Sequence, residues 1–245
     1  FNDTENNDGY AFFEIIKKPK NSKFVCLMVR DSAYLNSDYF NYHDYRDSDI
    51  NDYVVAVNNL LNKGYWVFRM GKIVNEKLLI NHPRFLDYAN SVYRNDFLDV
   101  WLAKNCFFAI STSCGWDSMT EIFKKPICYV NALPLGAIKT AGNNNSIWLS
   151  KKLKFKKNNK PLSLNDQIKT GALLYFRSKD YKDNDIIIED NSSSEIDDAV
   201  NEMHLKLNNL WVSNKNDLTD NSLFWNKLSK WNEFCLLYTS PSPRD

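Results

Sequence analysis

The sequence predicts a doubly wound α/β fold on a mostly parallel sheet. Three observations lead there. Short apolar runs, of the kind that form strands buried on both faces, recur along the chain. Segments with helical spacing of apolar residues separate them. The alternation extends over most of the 245 residues, and strand–helix alternation makes consecutive strands parallel. Hydrophobic residues make up 44% of the chain, enough for a core, and no apolar run approaches the roughly 18–20 residues of a membrane span.

The elements follow in order. Lys23 to Arg30 is a continuous apolar run ending in a charge, the first strand. Residues 31–48 are polar and aromatic without periodicity and read as a long loop. Ile50, Tyr53, Val54, Val57, Leu60 and Leu61 keep helical spacing, with Ser48 or Asp49 as N-cap and Gly64 as the stop. Tyr65–Arg69 is the next strand, with Met70-Gly71-Lys72 as its exit loop. Phe85–Tyr88 is a short strand, Asp96–Lys104 a helix and Cys106–Ile110 a strand. Trp116–Phe123 is a helix and Pro126–Val130 a strand. Residues 132–164 read as irregular and basic. A short helix near 165–172, a strand at Ile186–Ile188 and a helix from Ser194 to about Trp211 complete the pattern.

Both ends stand apart. The chain starts at Phe1 without a signal segment, so residues 1–22 are expected to be the remnant of a truncated upstream region. Residues 212–234 are expected to form a helical extension. Cys235 to Asp245 resembles translated sequencing-adapter read-through and is set aside as a non-native tail.

Composition excludes several functions. Lys and Arg number 31 against 30 Asp and Glu, a net charge of +1, which argues against binding nucleic acid by bulk charge. Only seven glycines are present, with no G-x-G-x-x-G and no Walker P-loop, so most NAD enzymes and P-loop NTPases are excluded. Cys26, Cys106, Cys114 and Cys128 form no C-x-x-C pair and read as free thiols of a reducing compartment, not as disulfides or zinc ligands. His43, His82 and His204 lack metal-ligand spacing. Asp47-Ser48-Asp49 and Asp183-Asn184-Asp185 match a D-x-D metal string, but a helix cap and a turn explain them better. No metal is expected.

In open α/β sheets, ligands bind beyond the carboxyl ends of the strands, so the polar residues there are the candidates. The first strand delivers Arg30 and Asp31, the second Arg69 and Gly71, and the short strand Asp87 and Tyr88. Ser111-Thr112-Ser113-Cys114-Gly115 stands directly before a helix. It reads either as an anion cradle or as ordinary capping. Arg30 and Arg69 either grip a diphosphate with their planar forks or pair with Asp31 and Asp87. Tyr42-His43-Asp44-Tyr45-Arg46 is either a surface loop or a contact to a ring or sugar. The basic run Lys151–Lys157 is either solvated surface or a face for a membrane or a lipid-linked phosphate.

Several ordered segments together resemble a bacterial glycosyltransferase family. They are Val29–Leu35, His43–Ile50, Gly64–Tyr65 through Arg69–Gly71, Asp87–Ala89, Asp96–Asp99, Ser111–Gly115, Lys125–Pro126, Tyr129–Asn131, Glu189–Asn191, Glu195–Ile196 and Glu202–Met203. The likeness covers roughly residues 23–211. A remoter one is to fucosyltransferases, whose His-x-Arg triplet corresponds to Met28-Val29-Arg30 and matches only at the arginine.

The resemblance implies a GT-B architecture of two Rossmann-like domains, with residues 23–211 as the nucleotide-sugar-binding half. It implies metal-independent transfer from a nucleoside diphosphate sugar, with no other cofactor, to a glycan or lipid-linked hydroxyl in surface-polysaccharide synthesis. The setting implied is cytoplasmic, at the inner face of the membrane. Arg30 and Arg46, helped by Ser111, Thr112 and Ser113, would hold the departing diphosphate. Arg69, Gly71, Asp87 and Tyr88, with Gly115, would line the donor site, and His43 or Asp31 would serve as base. Two alternatives stand beside it: a non-catalytic sugar-nucleotide-binding module, and a nucleotide-sugar epimerase of the same fold.

Overall fold

Six strands form one parallel sheet: β1 (Phe24–Met28), β2 (Trp66–Arg69), β3 (Phe85–Leu86), β4 (Phe108–Ser111), β5 (Ile127–Ala132) and β6 (Ile147–Ser150). Their order is β3-β2-β1-β4-β5-β6, and every pairing is parallel. This is the doubly wound, Rossmann-like order, in which the direction of winding reverses between β1 and β4. The structure is a computed structural model describing residues 1–35, 38–138, 143 and 145–231, so the tail at 235–245 lies outside the described residues.

The sheet is buried on both faces, which is why its strands read as unbroken apolar runs. Alternate residues serve opposite sides. Val25, Leu27, Val67, Ile110 and Val130 face one core, closed by α2 (Val54–Asn62) and α7 (Ser193–Leu207). Phe24, Cys26, Phe68, Ala109 and Tyr129 face the other, closed by α1 (Asp3–Ile15), α3 (Asp96–Asn105) and the segment around α4 (Asp117–Ile122). Asp49 caps the turn that enters α2, and Gly64 beyond its end has φ +93°, a conformation that favours glycine.

Residues 1–22, expected as a remnant, contribute a full helix to this core. Asn2 and Glu5 form a capping box, and Phe12 and Phe13 pack against Phe24, Phe68 and Trp101. Gly9 lies so close to the Trp101 indole that an added Cβ would stand 2.1 Å from a ring carbon.

The stretch 132–164, expected to be irregular, holds two strands. β6 is the sheet's edge, and β7 (Lys152–Phe155) pairs antiparallel with β8 (Ile186–Glu189) in a separate ribbon. The lysine run hid an alternating strand: Leu153 is buried, while Lys152 and Lys154 reach Glu195 and Glu189. Lys151 pairs with Asp190, and Lys156 lies 3.9 Å from Asp185, so the run's charge is largely matched within the domain. Near the ribbon lie α5 (Leu164–Thr170) and α6 (Ser178–Asp183), the latter unforeseen. Residues 31–48, expected as a loop, coil into 3-10 turns at Ser32–Leu35 and Asp38–Arg46.

The helical extension expected over 212–234 is α8 (Lys215–Ser229), whose Leu228 is buried with Leu135, Ile138 and Leu173. Among the described residues no helix is long and apolar enough to cross a membrane. Cys26, Cys106, Cys114 and Cys128 are free thiols.

Replacing Gly9 by Ala should gain helix propensity and yet destabilise the domain, because overpacking a close contact costs about 1–3 kcal/mol. Urea unfolding should show a lower midpoint at unchanged slope.

Candidate functional site

A cavity of about 520 Å³ opens at the carboxyl ends of β1 and β4, where the strand order reverses. Its walls come from the chain after β1 (Arg30, Asp31), the turn ending at Arg46, the loop after β2 (Gly71–Val74), the start of α3 and the segment entering α4 (Cys114–Trp116). Met28, Val100 and Met119 supply apolar surface.

Of the sequence candidates, Arg30, Asp31, Arg46, Gly71 and Gly115 line this cavity. Arg30 is already engaged. Its Nη1 pairs with Asp47 and donates to the His43 carbonyl at 3.0 Å. Its backbone N–H donates to Thr112 Oγ1 at 2.9 Å, which ties β1 to the chain leaving β4. Both oxygens of Asp31 are used as well: Oδ1 accepts from the Ala33 N–H, and Oδ2 from the Asn75 N–H. Gly71 has φ +148°, and a Cβ there would stand 2.6 Å from Val74, so the loop after β2 needs glycine at this turn. Gly115 has no such need, since a Cβ would meet open space.

Arg46 differs from the other cations. Its Nη1 lies 3.5 Å from the Ser113 carbonyl, and among the described residues no carboxylate pairs with it. Arg94, by contrast, holds Asp96 at 2.5 Å and Asp99 at 2.6 Å, and Lys72 lies 3.7 Å from Asp96. Among the described residues Arg46 is thus a positive charge on the cavity wall with no carboxylate partner.

The other candidates lie away from the cavity wall. Arg69 is fully buried, 3.5 Å from Asp87 and 3.9 Å from Asp31; burial pulls its pKa down while the two carboxylates oppose that. Of the two readings open for this arginine, the geometry is that of the ion pair. Asp87 also accepts from the Leu78 N–H, and buried Tyr88 donates to the Asn95 carbonyl. Ser111 and Thr112 are fully buried. The Ser111 hydroxyl donates to Asp117 Oδ1 at 2.5 Å, and the Cys114 N–H donates to Asp117 Oδ2 at 2.8 Å. The chain's own carboxylate therefore occupies two of the donors that an anion at this segment would use, the Ser111 hydroxyl and the Cys114 N–H. Ser113 sits in this turn with φ +63°.

The His43 ring lies against Tyr42, with centroids 3.8 Å apart and planes tilted by 43°, and its Nδ1 is buried without a partner among the described residues. Burial, then the neighbouring Arg46 and Arg30, lower its pKa from 6.5 to about 4, so the ring is neutral at pH 7. Cys114 lines the cavity as a thiol, its pKa raised to about 12 by burial and then by Asp117. The carboxylates of both D-x-D strings are committed elsewhere: Asp47 to Arg30, Asp49 to the Asn51 N–H, Asp183 to Lys179 and Asp185 to Lys156.

Lys72, Arg94, Asp99 and Trp116 line the cavity without having been named as site residues from the sequence. Three of them belong to the loop after a strand or the entrance of the next helix. In a doubly wound sheet those positions share the ligand side, so surveying every helix entrance would have found Arg94 and Trp116.

No protein-family model matches the chain, and no curated protein or solved structure matches it either.

Two outcomes test this geometry. Between pH 6.5 and 4 the unfolded imidazole binds a proton that folded His43 refuses, so stability is complete above 6.5 and falls toward 4. Melting temperature should drop from pH 7 to 5, and His43→Gln should flatten part of the drop; His204, shifted in the same direction, also contributes to it. Asp117→Ala strands the Ser111 hydroxyl and the Cys114 N–H, and urea unfolding should show a loss of about 1–3 kcal/mol.

Proposed function

We propose that the chain binds a nucleoside diphosphate sugar in the cavity between β1 and β4 and serves as the donor-binding half of a glycosyltransferase. The observation that carries this reading is Arg46, a guanidinium on the cavity wall without a carboxylate partner among the described residues. A planar fork of donors suits a diphosphate, and an unpaired cation in a partly apolar recess favours an anion that brings its own apolar body. The segments resembling the glycosyltransferase family support the same reading, for Arg30, Arg46, Gly71 and Gly115 all stand on this wall.

In glycosyl transfer the bond between the anomeric carbon and the diphosphate oxygen breaks, and its electron pair leaves with the diphosphate. Charge therefore grows on the oxygens beside Arg46 as the transition state forms. A fixed guanidinium there binds the transition state more tightly than the ground state and lowers the barrier. Arg30 acts one step back: paired with Asp47 and bonded to the His43 carbonyl, it holds the turn that carries Arg46. The acceptor would be a glycan or lipid-linked hydroxyl.

A second reading has an observation in its favour. Asp31 has both oxygens occupied, and His43, with a pKa of about 4, is a poor proton acceptor at pH 7. A sugar-nucleotide-binding module without turnover would look the same. Donor hydrolysis or transfer separates the two.

The test is a thermal-shift and titration series with UDP, GDP, CDP and their sugar forms. One nucleotide class should stabilise the protein. Arg46→Ala should weaken that ligand about 10- to 100-fold, the equivalent of a charge-assisted hydrogen bond, and Arg46→Lys should restore only part. Unchanged affinity in Arg46→Ala would overturn the proposal.

A further inference from the structure

Arg46 has few bonds of its own to hold it. Among the described residues its guanidinium makes one hydrogen-bond contact, to the Ser113 carbonyl at 3.5 Å, and its Nε is buried without a partner. A bond that long is weak. The Tyr45 ring centroid lies 5.7 Å from the guanidinium carbon, at the outer limit of a cation–π contact. The place of this side chain is therefore set by the backbone that carries it.

That backbone is pinned on both sides. After Arg46, Asp47 pairs with Arg30 and its carbonyl accepts from Lys151 at 2.5 Å, which ties it to the sheet. Before Arg46 the fixed point is α6, none of whose residues stands on the cavity wall. The Tyr45 N–H donates to Ser178 Oγ at 3.2 Å, and that hydroxyl donates on to the Tyr42 carbonyl at 3.3 Å. One hydroxyl at the first residue of α6 thus joins two points of the turn that ends at Arg46. The Tyr45 ring is 5% exposed and packs on Tyr181 of α6 with centroids 5.4 Å apart. Leu153 of β7 and Ile186 of β8 belong to the same buried cluster, so the ribbon stands behind this contact.

We infer that Ser178 is a positioning residue for the cavity's anion site: acting from α6 through Tyr45, it fixes where the Arg46 guanidinium stands. This rests on the proposed nucleotide-sugar reading and adds what preorganises its cation. A cation held in place before the ligand arrives need not be ordered on binding. Loss of the hydroxyl should therefore weaken a ligand that the hydroxyl never touches.

The probe is whichever of UDP, GDP and CDP stabilises the unaltered protein. It is titrated against the full chain carrying Ser178→Ala, Ser178→Thr, Arg46→Ala, or Ser178→Ala together with Arg46→Ala. Ser178→Ala removes both bonds and should weaken the nucleotide about 3- to 10-fold, the equivalent of one net hydrogen bond. Ser178→Thr keeps a hydroxyl and should stay within about twofold of the unaltered protein. In the Arg46→Ala background, Ser178→Ala should change affinity by less than about twofold, because the group it positions is gone. A merely structural role gives a loss of equal size in both backgrounds, and that result overturns the inference. Unchanged affinity in Ser178→Ala, or equal weakening by the alanine and the threonine, overturns it too and leaves the nucleotide reading standing. Absence of nucleotide binding in the unaltered protein, or no loss in Arg46→Ala, overturns both proposals together.

Discussion

A pair of buried asparagines holds the top of this sheet together. The Asn131 N–H donates to the Asn191 side chain at 3.1 Å, and the Asn191 N–H donates back to the Asn131 side chain at 2.6 Å. Both residues are nearly inaccessible to water, so each needs those bonds. Asn131 also donates to Ser48, and Asn191 to the Ser150 carbonyl, which joins β5, β6, the entrance of α7 and the chain before α2. Lys151 strengthens the same knot by holding Asp190 and the Asp47 carbonyl. The segment carrying Arg46 therefore ends in a fixed anchor, and the cavity wall it forms follows from that anchor.

The polar groups of the sheet's carboxyl edge divide into two kinds. Arg69 pairs with Asp87, Ser111 donates to Asp117, and Thr112 accepts from the Arg30 N–H, so these side chains are engaged within the fold. Arg46, on the cavity wall, has no carboxylate partner among the described residues. A buried polar network is stable when complete, and an incomplete one is where a ligand gains most by supplying the missing partner. That distinction ranks the candidate residues more sharply than their residue types do.

Much of the fold was legible because burial on both faces writes itself into strands as apolar runs, and helix faces write themselves as spacing. β1, β2, β4 and β5 were visible for this reason. β7 was not, because Lys152 and Lys154 alternate with Leu153 and Phe155, and a lysine-rich string looks like solvated surface unless acidic partners are known to lie across from it. α1 was obscured by its position at the chain's start, although Phe12 and Phe13 are as deeply buried as the strands they cover. The candidate site was legible as a region, the ends of β1 and β4, but not in its assignments. Ser111 to Gly115 looks like an anion cradle until Asp117, two residues on, is seen to fold back onto it.

By itself the sequence determined the parallel α/β architecture and the edge of the sheet where the cavity opens, since hydrophobic periodicity and chain direction are local properties that survive without coordinates. Tertiary structure alone decided which charges are free. Arg30, Arg46 and Arg69 are equivalent on paper, two of them at strand ends and one in the loop that follows the first strand. In the fold Asp47 engages the first, Asp31 and Asp87 bury the third, and only Arg46 is left facing the cavity without a carboxylate among the described residues. Pairing depends on which distant residues share a few ångströms of space, and no spacing rule along the chain encodes that.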